Sequence, residues 1–258
     1  MDLGLSGKTV LVTGGSKGIG LACARAFLAE GARVAITSRS QTNLDRAAAE
    51  LPGVFAIAAD LIDEAAALRV VEAVGRELGP IDVLVNSAGA AKRTPAEELT
   101  PAAWRAALDA KFFSYINVID PVVKLMAARG TGVVVNIIGS GGKVPSPIHI
   151  AGGAANAALM LATAGLATAY AAKGVRVVGL NPGLTETERV TEGLQAETRL
   201  HGISLEQARQ QAVSRIPLGR PAQPEEIADA ALFLASAKAA YITGVNITMD
   251  GAQSPVVV

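Results

Sequence analysis

The residues best placed to do chemistry open the chain. Lys8 to Gly20 reads KTVLVTGGSKGIG, with Gly14, Gly15, Gly18 and Gly20 following directly on the apolar run Thr9–Val12. That run predicts a buried strand, and helical spacing from Ile19 to Leu28 predicts a helix behind the glycines. Strand, glycine turn and helix start in this order form a cradle for a dinucleotide pyrophosphate. Gly14 can adopt dihedrals closed to other residues, Gly18 lets backbone approach phosphate, and Gly20 lets helix and strand pack closely. The helix start adds unpaired N–H groups and the positive end of its dipole. A glycine turn also serves plain strand-to-helix connections, so the rest of the chain has to support this reading.

Two cations qualify the ligand. The second predicted strand, Arg33–Thr37, ends at Ser38 and Arg39, where an acidic residue would bind the adenosine ribose of NAD. Arg39 suits the additional phosphate of NADP, and Lys17 in the glycine loop is expected near the same group. Either cation alone reads equally as a solvated surface charge. Together, with the acid missing, they favour NADP(H) over NAD(H).

The elements that must position these groups alternate along the chain. Helical patterns at Asn43–Glu50 and Ala65–Glu77 flank strands at Val54–Ala58 and Ile81–Val85. Asp60-Leu61 follows the third strand, its acid either holding the adenine edge or capping the next helix. Asn86-Ser87-Ala88-Gly89 follows the fourth strand, where a crossover passes close to the cofactor. A helix starting at Leu99–Trp104 runs on to Met126, and strand Val133–Ile138 leads into Gly139-Ser140-Gly141-Gly142. A small-residue helix at Ala154–Ala172 and a strand at Val175–Leu180 precede Asn181-Pro182-Gly183. Helix Pro224–Leu234 and strand Val245–Met249 close the pattern. Such alternation means parallel βαβ units in one α/β domain over residues 1–258, a Rossmann fold with helices on both faces of the sheet. The polar segment at about 186–215 interrupts the rhythm and reads as a helical lid over the substrate.

Composition excludes several classes. The 258 residues carry zero formal net charge and no basic tract, so nucleic acid is not expected as a partner. The single Cys23, on an apolar helix, gives neither an intrachain disulfide nor a metal cluster. Met1–Gly7 shows no signal-peptide pattern, and no uninterrupted apolar stretch reads as a membrane span. A soluble, cytoplasmic protein with a small-molecule substrate and no metal is expected.

Taken in order, Thr13-Gly14-Gly15-Ser16-Lys17-Gly18-Ile19-Gly20, Asp60-Leu61, Asn86-Ser87-Ala88-Gly89, Asn181-Pro182-Gly183 with Thr187, and Thr243-Gly244 with Asp250-Gly251 resemble the short-chain dehydrogenase/reductase family. The resemblance covers essentially the whole chain. It implies a seven-stranded parallel sheet, a nicotinamide dinucleotide and a homotetramer joined partly through the long helices after the fourth and fifth strands. Its cofactor-binding positions fall on Gly14, Ser16, Lys17, Gly18, Ile19, Gly20, Arg39, Asp60, Leu61, Asn86, Ala88, Gly89, Pro182, Gly183 and Thr187.

The active-site positions depart from the family pattern. A Tyr and, four residues on, a Lys are expected where this chain has Gly152 and Asn156. The family Ser falls at Gly139, beside Ser140, and the family Asn falls at Lys111, seven residues after Trp104. If Lys111 and Asn156 both face the cofactor, the positive charge has moved between helices; otherwise Lys111 faces solvent and Asn156 is a helix-start residue. A stand-in for the missing Tyr must exchange a proton, and His149, three residues before Gly152, carries the side chain that titrates near neutrality. A structural or surface role is the alternative for this His. Ser140 suits a hydrogen bond to the carbonyl oxygen, Lys143 is a weaker candidate nearby, and His201 belongs to the lid.

The expected activity is hydride exchange between nicotinamide C4 and a secondary alcohol or ketone. Ser140 would fix the oxygen and His149 its proton, with Lys111 and Asn156 setting field and orientation. The competing reading is a catalytically silent cofactor-binding partner or a lyase in the same pocket. Val144, Pro145, Ile148, Ile150, Leu184 and Leu194 suggest a substrate with an apolar portion.

Overall fold

The computed structural model describes residues 2–89 and 92–255. Seven strands form one parallel sheet in the order β3-β2-β1-β4-β5-β6-β7: β1 Thr9–Thr13, β2 Arg33–Ser38, β3 Phe55–Ala58, β4 Val83–Asn86, β5 Gly132–Ile137, β6 Val175–Pro182 and β7 Asn246–Met249. The helices are α1 Gly18–Ala29, α2 Gln41–Glu50, α3 Glu64–Glu77, α4 Pro101–Leu108, α5 Ser114–Arg129, α6 Ile150–Tyr170, α7 Glu188–His201, α8 Leu205–Ser214 and α9 Pro224–Ala235. Alternate residues of each strand feed opposite cores. Val10, Val12, Val34 and Ile36 pack with Phe27 of α1, Leu44 of α2 and Ile227 of α9. Leu11, Leu84, Val134 and Val177 pack with Val70 of α3, Val118 of α5 and Leu159 of α6. Both faces are buried, which is why the strands read as continuous apolar runs.

Toward the carboxyl ends of β1, β4 and β5, one of these faces turns polar, and the polar row reaches the middle of β6 and the start of β7. Thr37, Thr13, Asn86, Asn136, Gly179 and Asn246 lie in a single cross-strand row. Thr13 Oγ1 accepts from the N–H groups of Ser87 (3.1 Å) and Ala88 (3.2 Å) and donates to Asn86 Oδ1 (3.3 Å). Asn86 Nδ2 donates to Asn136 Oδ1 and Asn136 Nδ2 to Thr163 Oγ1 on α6, each at 3.0 Å. Gly179 leaves a gap that the neighbouring Asn246 fills, since a Cβ at 179 would stand 2.1 Å from Asn246 Oδ1. Asn246 Nδ2 in turn donates to Met160 O on α6 at 3.1 Å. The row therefore ties α6 to β5 and β7.

Several expectations need correction. The helix expected from Ala154 begins at Ile150, so His149 is its N-cap residue rather than part of a preceding loop. The helix expected to run unbroken to Met126 is interrupted by a π turn at Asp109–Phe113, which divides α4 from α5. The cap of α3 is Asp63, which accepts from Ala65 N (2.9 Å) and Ala66 N (3.3 Å), and not Asp60. Ile150–Lys173 is also long and apolar enough, by length and composition alone, to cross a membrane. It escaped notice because alanine, glycine and threonine contribute many small hydropathy terms rather than a run of large side chains. Here it packs on the sheet and supplies Thr163 to the polar row. Burial of Cys23 agrees with expectation, and desolvation pushes its thiol up to about 12, leaving it an inert core residue.

Thr163→Val keeps the shape of the side chain but strands the buried Asn136 amide. Loss of about 1–3 kcal/mol is expected, which for a chain of this size lowers Tm by roughly 2–10 °C. Calorimetry checks it; an unchanged Tm would show that the row does not carry stability through this contact.

Candidate active site

The cofactor side is shaped by places where a side chain will not fit. Gly14 has φ +65°, and a Cβ there would lie 2.8 Å from Ala88 Cα and from Ser87 O. A Cβ on Gly20 would lie 2.3 Å from Gly14 O, so α1 starts directly against the turn. Ser16 is buried within the loop, and Lys17 is the N-cap of α1 without capping it through its side chain. The first N–H groups of α1, from Gly18 through Gly20, lie ahead of the bond from Leu21 N–H to Lys17 O (3.3 Å) and have no intrahelical acceptor. Gly89, with φ +77°, runs so close to the π turn that a Cβ would strike Ala110 O at 1.8 Å. Asn86 belongs to the polar row, and Thr13 Oγ1 holds the Ala88 N–H. This cradle, an N-terminal helix end above a glycine-rich turn, fits a dinucleotide pyrophosphate.

The flanking candidates are placed less uniformly. Arg39 is exposed just beyond β2. Lys17 turns toward α7, its Nζ 3.3 Å from Glu188 Oε2 at the start of that helix. A Cβ on Gly18 would stand 3.3 Å from Thr187 Cγ2, so the glycine loop and the start of α7 meet at Thr187–Glu188. Asp60 is exposed and its Oδ1 accepts from Ile62 N at 3.1 Å, in a local turn, while Leu61 is buried. Pro182 ends β6, and Gly183 passes close to Asp250, whose Cβ would lie 2.7 Å from an added methyl.

On the substrate side, the π turn swings Lys111 inward, where it is only 7% exposed. Its Nζ donates to Tyr115 Oη (2.8 Å) and to Ile137 O at the end of β5 (3.0 Å). It also lies 4.4 Å from the Tyr115 ring centroid, and the Tyr115 hydroxyl donates to the same carbonyl. Asn156, buried on α6, approaches from the other side: its Nδ2 is 3.3 Å from where a Cβ on Gly139 would be and 3.6 Å from that of Gly141. The end of β5 thus lies between Lys111 and Asn156.

His149 caps α6 and folds its ring back over the first turn. A Cβ on Gly152 would fall 2.1 Å from its Cε1, 2.5 Å from Nε2 and 2.7 Å from Nδ1. Gly141 borders the same ring at Cδ2, 3.4 Å from its own Cβ position. The structure therefore gathers His149, Asn156 and the Ser140–Gly142 turn around the beginning of α6. Lys143 is directed away, to Asn246 O at 3.3 Å, and His201 is exposed at the far end of α7. The sequence reading missed Tyr115 as the partner of Lys111. Their separation of four residues, one helical turn, was the available signal. Nothing in the local pattern announces the π turn that aims them, although such turns gather at functional sites.

Comparisons with known proteins agree with this architecture. The sequence model of the family described as "Enoyl-(Acyl carrier protein) reductase" matches residues 14–252. D-threitol dehydrogenase of Mycolicibacterium smegmatis is 36% identical over 254 residues, covering 97% of this chain and 94% of that protein. The crystal structure of L-sorbose reductase from Gluconobacter frateurii complexed with NADPH and L-sorbose is 30% identical, with TM-score 0.92 and full coverage, 100%, of both chains. An NADPH-bound short chain oxidoreductase from Pseudomonas aeruginosa PAO1, described as containing an atypical catalytic center, is 34% identical with TM-score 0.87, covering 97% of this chain and 98% of that one. The chain described here belongs to the short-chain dehydrogenase/reductase family.

Proposed function

We propose that this chain is an NADP(H)-dependent oxidoreductase acting on a secondary alcohol or ketone, with His149 exchanging the proton that a tyrosine handles in the wider family. The observation that carries the proposal is the seat of the imidazole. It fills the volume that any side chain at position 152 would need, beside Asn156 and the Ser140 turn. NADP(H) fits the cradle, the exposed Arg39 and the absence of an acid at the end of β2. It also accords with the NADPH-bound relatives, two of them solved with that cofactor in place.

When bound, the nicotinamide supplies or accepts hydride. The α1 start and glycine turn hold the pyrophosphate, with Gly89, Pro182, Gly183 and Thr187 lining the approach to the ring. Ser140 Oγ and Asn156 Nδ2 offer hydrogen bonds to the substrate oxygen. In reduction, the protonated His149 ring gives its proton to that oxygen, and the neutral ring regains one from solvent; oxidation reverses the transfer. Lys111 places a buried positive charge at the end of β5, held by Ile137 O and Tyr115, where it favours developing negative charge on the oxygen.

The helical pair α7–α8 acts as the lid over the substrate. The Arg209 fork to Glu186, at 3.0 and 2.8 Å, fastens α8 to the stem of this segment. Val144 and Ile150 are partly exposed at the edge of the active-site loop and favour an apolar portion on the substrate. Exposed apolar side chains on α5 and α6, Leu125 at 51% and Leu161 at 77% in the single chain, support assembly as a homotetramer through these helices.

Arg39→Ala should weaken NADPH by roughly 10- to 10²-fold, the value of one charge-assisted phosphate contact, and leave NADH nearly unchanged. Fluorescence titration of both cofactors decides this, and equal or tighter binding of NADH by the natural chain would reverse the assignment. His149→Phe should slow single-turnover hydride transfer by about 10²- to 10⁴-fold and abolish the imidazole titration in its pH profile. An unaltered rate and profile would remove His149 from the mechanism. Sedimentation should give a tetramer at micromolar concentration that Leu161→Arg dissociates; a monomeric natural chain contradicts the assembly.

A further inference from the structure

We infer that Gly152 is a positioning residue whose lack of a side chain holds the His149 imidazole in the site. The inference rests on the reading of His149 as the proton-exchanging group, and names what enforces its geometry.

Two adjacent glycines, Gly152 and Gly153, stand in the first turn of α6, although glycine is the poorest helix former after proline. Their reasons differ. A Cβ on Gly153 would lie 2.7 Å from the backbone oxygen of Gly141, so this glycine serves the close approach of two main chains. The three nearest atoms to a Cβ on Gly152 all belong to the His149 ring. An added methyl there therefore meets no backbone among its nearest neighbours. It meets the end of a side chain, which can rotate away.

Rotation is the relief that the hydrogen-bonded main chain leaves to His149. Its N–H donates to Ser146 O (2.9 Å), and its carbonyl accepts from Gly153 N (2.7 Å). The preceding carbonyl, Ile148 O, accepts from Thr94 N at 3.0 Å. The main chain is fixed on both sides of the residue, and the ring lies between the side-chain-free positions 141 and 152. A methyl at 152 evicts the ring from this slot while leaving the helix and the cofactor cradle in place. Position 152 and position 149 thus cannot both carry a side chain in the same space, and glycine at one is the condition for histidine at the other.

The test is a double-mutant cycle on the full chain with Gly152→Ala, His149→Ala and the combined variant. Single-turnover hydride transfer would be followed against pH, with NADPH affinity and Tm measured alongside. Gly152→Ala should lower the rate by about 10- to 10²-fold, the cost of misplacing a reacting group by an ångström or so, and lose the imidazole titration while NADPH affinity holds. In the His149→Ala background the same change should have no further effect, because its only route to the chemistry is gone. A natural rate and pH profile in Gly152→Ala, or an equal loss in both backgrounds, would overturn the inference. With only two histidines in the chain, proton NMR of the ring signals gives a readout independent of turnover. His149 resonances should shift in Gly152→Ala whether or not His149 proves to be the proton donor. Unshifted resonances overturn the inference, whereas shifted resonances with an active His149→Ala variant overturn the catalytic reading alone.

Discussion

The buried polar row that runs from the carboxyl ends of β1, β4 and β5 to the first residue of β7 is the constraint on which the rest depends. Buried amides and hydroxyls are costly unless they find partners, so Thr13, Asn86, Asn136 and Thr163 tolerate essentially one arrangement. That arrangement fixes three things together. It aligns the strand ends, it holds the Ala88 N–H beside the glycine turn, and it seats α6 on the sheet through Thr163 and through Asn246 to Met160 O. A slip of one residue in any strand would turn its polar member into the opposite, apolar core.

With α6 seated, the substrate side is organised by small residues that allow close approach. Gly141 and Gly153 let the turn after β5 touch the start of α6. Gly139 leaves room for the Asn156 amide and Gly152 for the His149 ring. Lys111 approaches the end of β5 from the opposite direction, aimed by the π turn and braced by Tyr115.

The glycine loop and the start of α7 meet among the described residues at Thr187–Glu188, through Gly18 and through the Lys17 ion pair. Both partners of that pair are largely exposed, so it adds little to stability.

How much of this was legible beforehand depended on the range of the forces involved. Strand and helix types follow from local periodicity and glycine placement, so the parallel α/β architecture and the pyrophosphate cradle at Gly14–Gly20 could be read from the chain alone. The departures at Gly139, Gly152, Asn156 and Lys111 were equally visible, being a matter of residue identity at aligned positions. The direction of each replacement group was not. That Lys111 turns inward, that Asp63 rather than Asp60 caps α3, and that α6 begins early enough to make His149 its cap are decided by which groups find partners. Those partners lie across the sheet or in another turn. The sequence by itself determined which elements form and which residue types stand at each position. Only the tertiary structure decided where their side chains turn and what packs beside each glycine, because that depends on contacts between segments distant in the chain, which no local pattern encodes.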